Sequence, residues 1–417
     1  MTSQVSPVKL RDLFRQRDFC LYTAGDLFSL IGNWTQRITV GWLTWEMTGS
    51  ATWLGLIAFM DLFPSVVLSP LGGVIVDRGD PRRISLITHA IAMLHACILL
   101  IVSMTGLLDI WLLAFLVAIR GSIAAINQPA RLSLVHSLVP RGYLPMALAA
   151  NSVAFNLARF VGPAVAGVVI VQYGVSGAFA LNALSYLGLL LALMVIDVSP
   201  PVRNDRARSF ASQVVAGYEY VSRHQGLRPL LIIFATGTVL VRPIIELLPG
   251  FADGIFNAGA SGLAWFTSAM GVGAMLGGLV MIRRSALDHT FGAVGVSLGI
   301  MCIAAILFSL APSFWIALML LVVLGGAISV NGIGTQALIQ AAVENDMRGR
   351  VMSLYGMLFR GAPAVGALVM GTAADFVGLR WPMFVGAILC LGVWAWSLRR
   401  RNSMKSALLG QPSALSG

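Results

Sequence analysis

Twelve apolar stretches, each about twenty residues or longer and separated by mostly short polar links, leave this 417-residue chain one kind of fold. They lie at about 19–46, 52–76, 84–107, 110–130, 144–172 and 175–197, then at 229–252, 260–282, 290–311, 313–341, 350–373 and 379–398. About twenty apolar residues cross a ~30 Å hydrocarbon core as one α-helix, which satisfies its own backbone polar groups where water cannot. The expected fold is an all-α polytopic membrane protein. A composition of 58% hydrophobic and 11% charged residues agrees, because soluble domains carry about twice that share of charge.

Six runs precede and six follow the one long polar segment. The chain therefore divides into an N-terminal segment (1–18), a six-helix bundle (19–197), a linker (198–228), a second six-helix bundle (229–398) and a tail (399–417). Within the linker Phe210, Val214, Tyr218 and Val221 recur at helical spacing beside Arg208, Glu219 and Arg223. That pattern predicts a short amphipathic helix on the cytoplasmic leaflet.

The formal charge of +11, from 28 Lys and Arg against 17 Asp and Glu, would suggest a nucleic-acid partner in a soluble chain. Here its distribution matters more, and no nucleic acid is expected. Of the 28 basic residues, 22 fall in the termini or in links on one side of the alternating spans, whereas Arg380 falls in a link on the other. Basic residues mark the cytoplasmic side, so both termini are expected there, with the chain in the cell membrane (the inner or plasma membrane). The first eighteen residues lack the apolar core of a cleaved signal, which leaves insertion to the first span.

Cys20, Cys97, Cys302 and Cys390 stand singly in apolar runs and read as packing residues. His89 and His95, six apart on one span, do not share a helical face and read as satisfied interior histidines. The two lysines, Lys9 and Lys405, lie outside any glycine-rich phosphate loop, and no His-Glu-x-x-His or Gly-x-Ser-x-Gly occurs. We expect no enzyme, no catalytic residue, no cofactor and no metal.

An ionisable group inside a span costs ~2.5–3.5 kcal/mol on insertion scales, so such groups are functional candidates. Asp26, Arg37, Asp61, Arg120, Arg159, Arg242, Glu246 and Arg360 qualify. Arg37 and Asp61 lie at matching depths of about 13 Å from the outer side and can pair. Arg242 and Glu246, four apart, can pair on one helical face. Proton coupling is one reading of Asp26, Arg37, Asp61, Arg120, Arg242 and Glu246. The other reading is that the paired groups fix helix packing, and that Asp26, nearer the cytoplasmic end, lines a solvated funnel.

The segment Gly72-Gly73-Val74-Ile75-Val76-Asp77-Arg78-Gly79-Asp80-Pro81-Arg82-Arg83 is a short charged hairpin between two spans. Gly73 allows close helix packing, and Asp77 lies on the same face one turn later, where it can cap a neighbouring helix or pair with an arginine. Gly73, Asp77, Arg78, Arg82 and Arg83 thus read as a cytoplasmic gate. The halves also repeat: Arg37 stands before Gly72-Gly73 as Arg242 stands before Gly277-Gly278, and Arg159 to Val165 is similar to Phe359 to Val365. A parallel repeat implies two pseudo-symmetric bundles.

This Gly-x-x-x-Asp-Arg hairpin resembles the loop between helices 2 and 3 of the major facilitator superfamily. Asn127-Gln128-Pro129-Ala130-Arg131, Asn151-Ser152, Gly32-Asn33-Trp34-Thr35-Gln36-Arg37 and Arg348-Gly349-Arg350-Val351-Met352-Ser353 resemble its enterobactin-type siderophore exporter and macrolide efflux branch, the transmembrane secretion effectors. The resemblance spans most of the chain. It implies twelve helices and a secondary active transporter working by alternating access, expected to be a monomer whose partners are the bilayer, protons and an amphiphilic small organic solute such as a siderophore, macrolide or drug.

Arg120 resembles the superfamily's intramembrane arginine. Gly162, Pro163 and Gly167 resemble the helix-bending Gly-Pro segment of exporters, which favours export by proton antiport. Asn33, Gln36, Trp42, Asn151, Phe155, Asn156, Arg159, Asn331, Gln336 and Arg360 are the residues expected at the substrate cavity. A proton-coupled importer, a lipid translocator of the same fold, and a non-transporting sensor or scaffold are the alternatives.

Overall fold

The computed structural model describes residues 10–198, 210–283 and 286–409. Among them the chain is helical apart from turns, in the order α1 (Leu10–Leu13), α2 (Arg17–Thr48), α3 (Ala51–Arg78), α4 (Pro81–Met104), α5 (Ile110–Leu138), α6 (Leu144–Val195), α7 (Phe210–Arg223) and α8 (Leu227–Leu240). There follow α9 (Ile244–Gly250), a π-turn (Phe251–Ile255), α10 (Gly259–Arg283), α11 (Leu287–Ser309), α12 (Phe314–Ala342), α13 (Asn345–Val377), α14 (Arg380–Arg399) and α15 (Arg401–Leu409).

Ten described helical segments are long and apolar enough to cross a membrane. One of them, α6, is 52 residues long and leaves helical geometry at Gly174, where φ is 69°. Glycine meets no Cβ penalty at positive φ, so α6 is two helices joined at that residue, in the gap expected between residues 172 and 175. The 32-residue α2, whose apolar character is diluted by Asp26, Arg37 and Glu46, is also long enough to span. These elements accommodate the twelve expected spans.

The chain forms two compact units: residues 1–43 with 64–207, and residues 44–63 with 208–417. The C-terminal end of α2 and the first half of α3 therefore belong to the second unit. In the first unit Leu13, Phe19, Tyr22, Leu134, Leu189 and Leu193 form a buried core between α1, α2, α5 and α6. A second cluster, Ala96, Ala183, Tyr186 and Leu190, joins α4 to α6. Asp80 starts α4 by accepting the Arg82 N–H at 2.9 Å, with Pro81 at the first helical position, where its missing N–H removes no intrahelical bond.

Small residues set the closest helix approaches, and they do so alike in both units. A Cβ at Gly72 would collide with the Ala125 carbonyl oxygen, while one at Gly73 would meet open space. A Cβ at Gly277 would meet the Gly326 carbonyl oxygen at 2.5 Å, while one at Gly278 would again meet nothing. The repeat read from the sequence is thus a repeat of packing. It also corrects one expectation: the glycine that admits a neighbouring backbone is Gly72, because Gly73 lies about 100° further round the helix.

Two further differences concern the polar segments. The linker helix α7 packs on protein, since a Cβ at Gly217 would stand 2.8 Å from the Arg350 carbonyl oxygen of α13. The side chains of Phe210 and Val214, together with Arg203, Arg206, Arg208 and Arg284, lie outside the described residues. The stretch read as a tail begins with a helix, α15, which buries Met404 and Leu408.

Candidate functional site

In the first unit, α2, α5 and α6 bring together polar groups that were dispersed along the sequence. The Asp26 carboxylate, only 3% exposed, accepts the Arg131 guanidinium at 3.5 Å (Oδ2 to Nε). Arg131 Nη2 also donates to Asn151 Oδ1 at 3.1 Å, and its guanidinium stands 5.8 Å from the centre of the Phe155 ring. Phe155 meets Trp34 edge-on at 5.9 Å, and Trp34 in turn lies under Arg37 at 5.6 Å and Arg159 at 5.8 Å. The result is a continuous strip in which cations alternate with aromatic faces, an arrangement worth more where water is scarce.

Beside this strip the polar groups lock helices together. Tyr186 donates to Asn33 Oδ1 at 2.8 Å, and the Asn33 amide donates to the Ser29 carbonyl at 2.8 Å. Gln36, 1% exposed, accepts from Asn182. Thr35 donates to the Gly162 carbonyl at 3.2 Å, and a Cβ at Gly162 would collide with Trp34. Gly162, Pro163 and Gly167 keep helical dihedrals, and the residue inside α6 that leaves helical geometry is Gly174. His89 and His95 are buried and bonded to the Ser85 and Leu116 carbonyls at 2.7 and 2.8 Å, as interior histidines are.

At the hairpin, Arg82 donates through Nε and Nη2 to the Leu193 and Met194 carbonyls, each at 2.7 Å, covering the end of α6 where cations are favoured. Arg83 pairs with Asp80 at 3.5 Å on the surface. Asp77 and Arg78 are exposed.

In the second unit the helix expected around Arg242 is interrupted: α8 ends at Leu240 and α9 begins at Ile244, with Pro243 between them. Arg242 and Glu246 therefore do not share the face of one continuous helix. Arg242 stands 4.1 Å from the centre of the Phe359 ring and donates to the Phe359 carbonyl at 2.6 Å. Phe234 stacks on Tyr355 at 4.8 Å, and the Tyr355 hydroxyl donates to the Gly332 carbonyl at 3.0 Å.

At the other end of this unit, Asp375 of α13 receives Ser50 Oγ at 2.6 Å, Ala51 N–H at 2.8 Å and Thr52 N–H at 3.2 Å. It caps the start of α3 from another helix. A Cβ at Gly55 would collide with the Ala367 carbonyl, and one at Gly371 with the Ala51 carbonyl. The Trp45 indole donates to Asp253 at 3.0 Å.

These positions sort the expected site residues. Asp26 is buried and ion-paired, not a solvated funnel residue. Gln36 and Asn331, 1% and 4% exposed, lie within the packing of their units and do not line open space. Asn156 and Gln336 are exposed, with Asn156 bonded to its own helix through the Ser152 carbonyl at 2.8 Å. Trp42, Arg120 and Arg360 are half-buried. Arg37 belongs to the first unit and Asp61 to the second.

Sequence reasoning missed Arg131 as the partner of Asp26, the Asn182 and Tyr186 contacts, and Asp375. Arg131 was visible within Asn127-Gln128-Pro129-Ala130-Arg131 but was counted as a loop charge. Its span runs on to Leu138, which places it inside the helix.

Two membrane-helical units related by a repeat, with buried charge inside the spans, define a membrane transporter of the major facilitator type. The pattern of the transmembrane secretion effector family matches residues 6–412, and the chain belongs to that family. It is 26% identical over 380 residues to macrolide efflux protein A of Streptococcus pyogenes, covering 89% of this chain and 93% of that one. It is 24% identical over 387 residues to the staphyloferrin A transporter of Staphylococcus aureus (90% and 94%), and 25% identical over 405 residues to the multidrug efflux pump Tap of Mycolicibacterium fortuitum (93% and 96%). Among solved structures, the nucleoside transporter NupG aligns with a TM-score of 0.69 at 12% identity, covering 92% of this chain and 98% of that one. The POT family transporter PepTSo aligns with a TM-score of 0.70, also at 12% identity, covering 93% and 99%. At such identities these structures establish the fold alone.

Proposed function

We propose that this transporter exports an amphiphilic small organic molecule, of the macrolide, siderophore or drug kind, in exchange for protons, with both termini in the cytoplasm. The observation that carries the coupling is the Asp26–Arg131 pair. A carboxylate enclosed among membrane helices stays charged only while its cation is beside it, so opening the site to water and loading a proton on Asp26 are linked events. Loading the proton frees Arg131 to leave, and the strip through Phe155, Trp34, Arg37 and Arg159 offers alternating cationic and aromatic contacts to a solute that is part polar and part apolar. The relatives whose names specify efflux support the outward direction, as does the basic side of the chain for its orientation. In the same reading Asp61 is a further carboxylate able to take part in coupling.

The test is accumulation of labelled macrolides, siderophores and amphiphilic dyes in cells with and without the protein, each with and without a protonophore. Lower accumulation that the protonophore abolishes is the expected result. Higher accumulation would reverse the direction to import, and no change with any compound would remove this substrate class.

Alternating access also requires residues 44–63 to leave the second unit when the outer side opens, and Asp375 is the group to be released. Removing an N-cap costs about 1–2 kcal/mol, or roughly tenfold in population. In a chain lacking its native cysteines, Asp375→Ala is expected to raise labelling of Ala58→Cys by an impermeant maleimide about tenfold. Equal labelling with and without the substitution would remove Asp375 from the outer gate.

A further inference from the structure

A cleft in the second unit lies where α11 begins, α14 ends and α15 crosses between them. Its mouth, of about 600 Å³, is lined by Asp288, His289, Gly292, Arg401 and Lys405. The Asp288 carboxylate is taken by Lys405 at 2.7 Å, whereas Arg401 has no ion pair among the described residues. The buried Met404 and Leu408 anchor α15, and Arg401 and Lys405, one turn apart, face the mouth from it.

Below the mouth the cleft narrows into an apolar slot of about 80 Å³ between Gly292, Gly295 and Val296 of α11 and Trp394 and Leu398 of α14. The slot exists because its floor is glycine. A Cβ at Gly295 would meet nothing within 4 Å, and one at Gly292 would meet only the Arg401 guanidinium at 4.0 Å. The Trp394 indole donates to the Gly295 carbonyl at 2.7 Å, which fixes one wall. The slot opens onto the exposed stripe of Val296, Ile300 and Ile303, which faces hydrocarbon in a membrane-spanning helix.

We propose that this cleft binds an anionic phospholipid, with the phosphate at Arg401 and an acyl chain along the glycine floor. A basic group at the water boundary followed directly by an apolar slot open to lipid suits a ligand whose anion is joined to a hydrocarbon chain. The surplus charge at the mouth is positive, since Lys405 and Asp288 cancel and Arg401 remains. The site fastens α15 to α11 and α14, and it is independent of transport direction and of proton coupling.

The test is thermal unfolding of the purified full chain, titrated with phosphatidylglycerol, with phosphatidylcholine of the same chains, and with glycerol phosphate. Phosphatidylglycerol is expected to raise the melting temperature, and the other two to leave it unchanged. Arg401→Gln is expected to weaken the phosphatidylglycerol response about fivefold. Gly295→Phe, which fills the slot without a backbone clash, is expected to weaken it at least as much while melting normally in lipid-free detergent. Arg15→Gln, which removes an exposed arginine of the first unit, is expected to leave it intact. An equal response to glycerol phosphate would replace the lipid by a small anion. Equal weakening by Arg15→Gln would reduce the site to diffuse surface charge, and an unaltered response in Gly295→Phe would overturn the acyl slot.

Discussion

Asp26→Asn is expected to bring protonophore-sensitive export down to the level of cells lacking the protein, while a folded, membrane-inserted chain is still recovered. Asparagine keeps the shape of the side chain and can still meet Arg131, but it neither carries the charge nor takes up a proton. Arg131→Gln is expected to be harsher on stability. It strands the more deeply buried charge, Asp26, at about 3–5 kcal/mol, whereas the arginine left by Asp26→Asn keeps Asn151 and the Phe155 ring, and removing both charges is often close to neutral. The double variant Asp26→Asn with Arg131→Gln should therefore recover the melting temperature lost in Arg131→Gln without recovering export. Recovered export in the double variant would make the pair a packing element. Retained protonophore-sensitive export in Asp26→Asn alone would move coupling to another carboxylate, with Asp61 and Glu246 next to be tested.

The second large effect separates two adjacent glycines. Gly72→Val is expected to cost ~1–3 kcal/mol or more in overpacking, because its Cβ would enter the space of the Ala125 carbonyl, which belongs to a helix backbone that cannot turn aside. Gly73→Ala is expected to be tolerated or mildly stabilising, since its Cβ meets open space and alanine is the better helix former. Melting temperatures of the two purified variants decide this. A larger loss in Gly73→Ala would return the close approach to Gly73, and equal losses would mean that neither contact limits the packing. The repeat predicts the same order for Gly277→Val and Gly278→Ala, where the opposing atom is the Gly326 carbonyl oxygen.

Much of this was legible without coordinates because hydrocarbon is an exacting solvent. A span must be apolar for about twenty residues whatever it packs against, so helix positions can be read locally, and even the break in α6 fell in the predicted gap. The hairpin charges, the glycine repeat and the family resemblance were local too. Partners were not. Arg131 lies just past the apolar run although its helix continues to Leu138, and Asp26 stayed open between proton coupling and a solvated funnel because depth along a helix does not tell which way a side chain points. The Arg242–Glu246 spacing assumed an unbroken helix, whereas one helix stops at Leu240 and Pro243 caps the start of the next.

The sequence by itself determined the class of protein, its all-helical membrane fold and the family, since each depends on composition and short-range spacing. Only the tertiary structure decided that Gly72 and not Gly73 admits its neighbour, that Asp26 meets Arg131, that Asp375 caps a helix some 320 residues earlier in the chain, and that glycines of α11 leave a slot beneath Arg401. Those facts depend on which helix faces are turned together. A difference of one residue is a rotation of about 100°, and it changes the partner without changing the pattern.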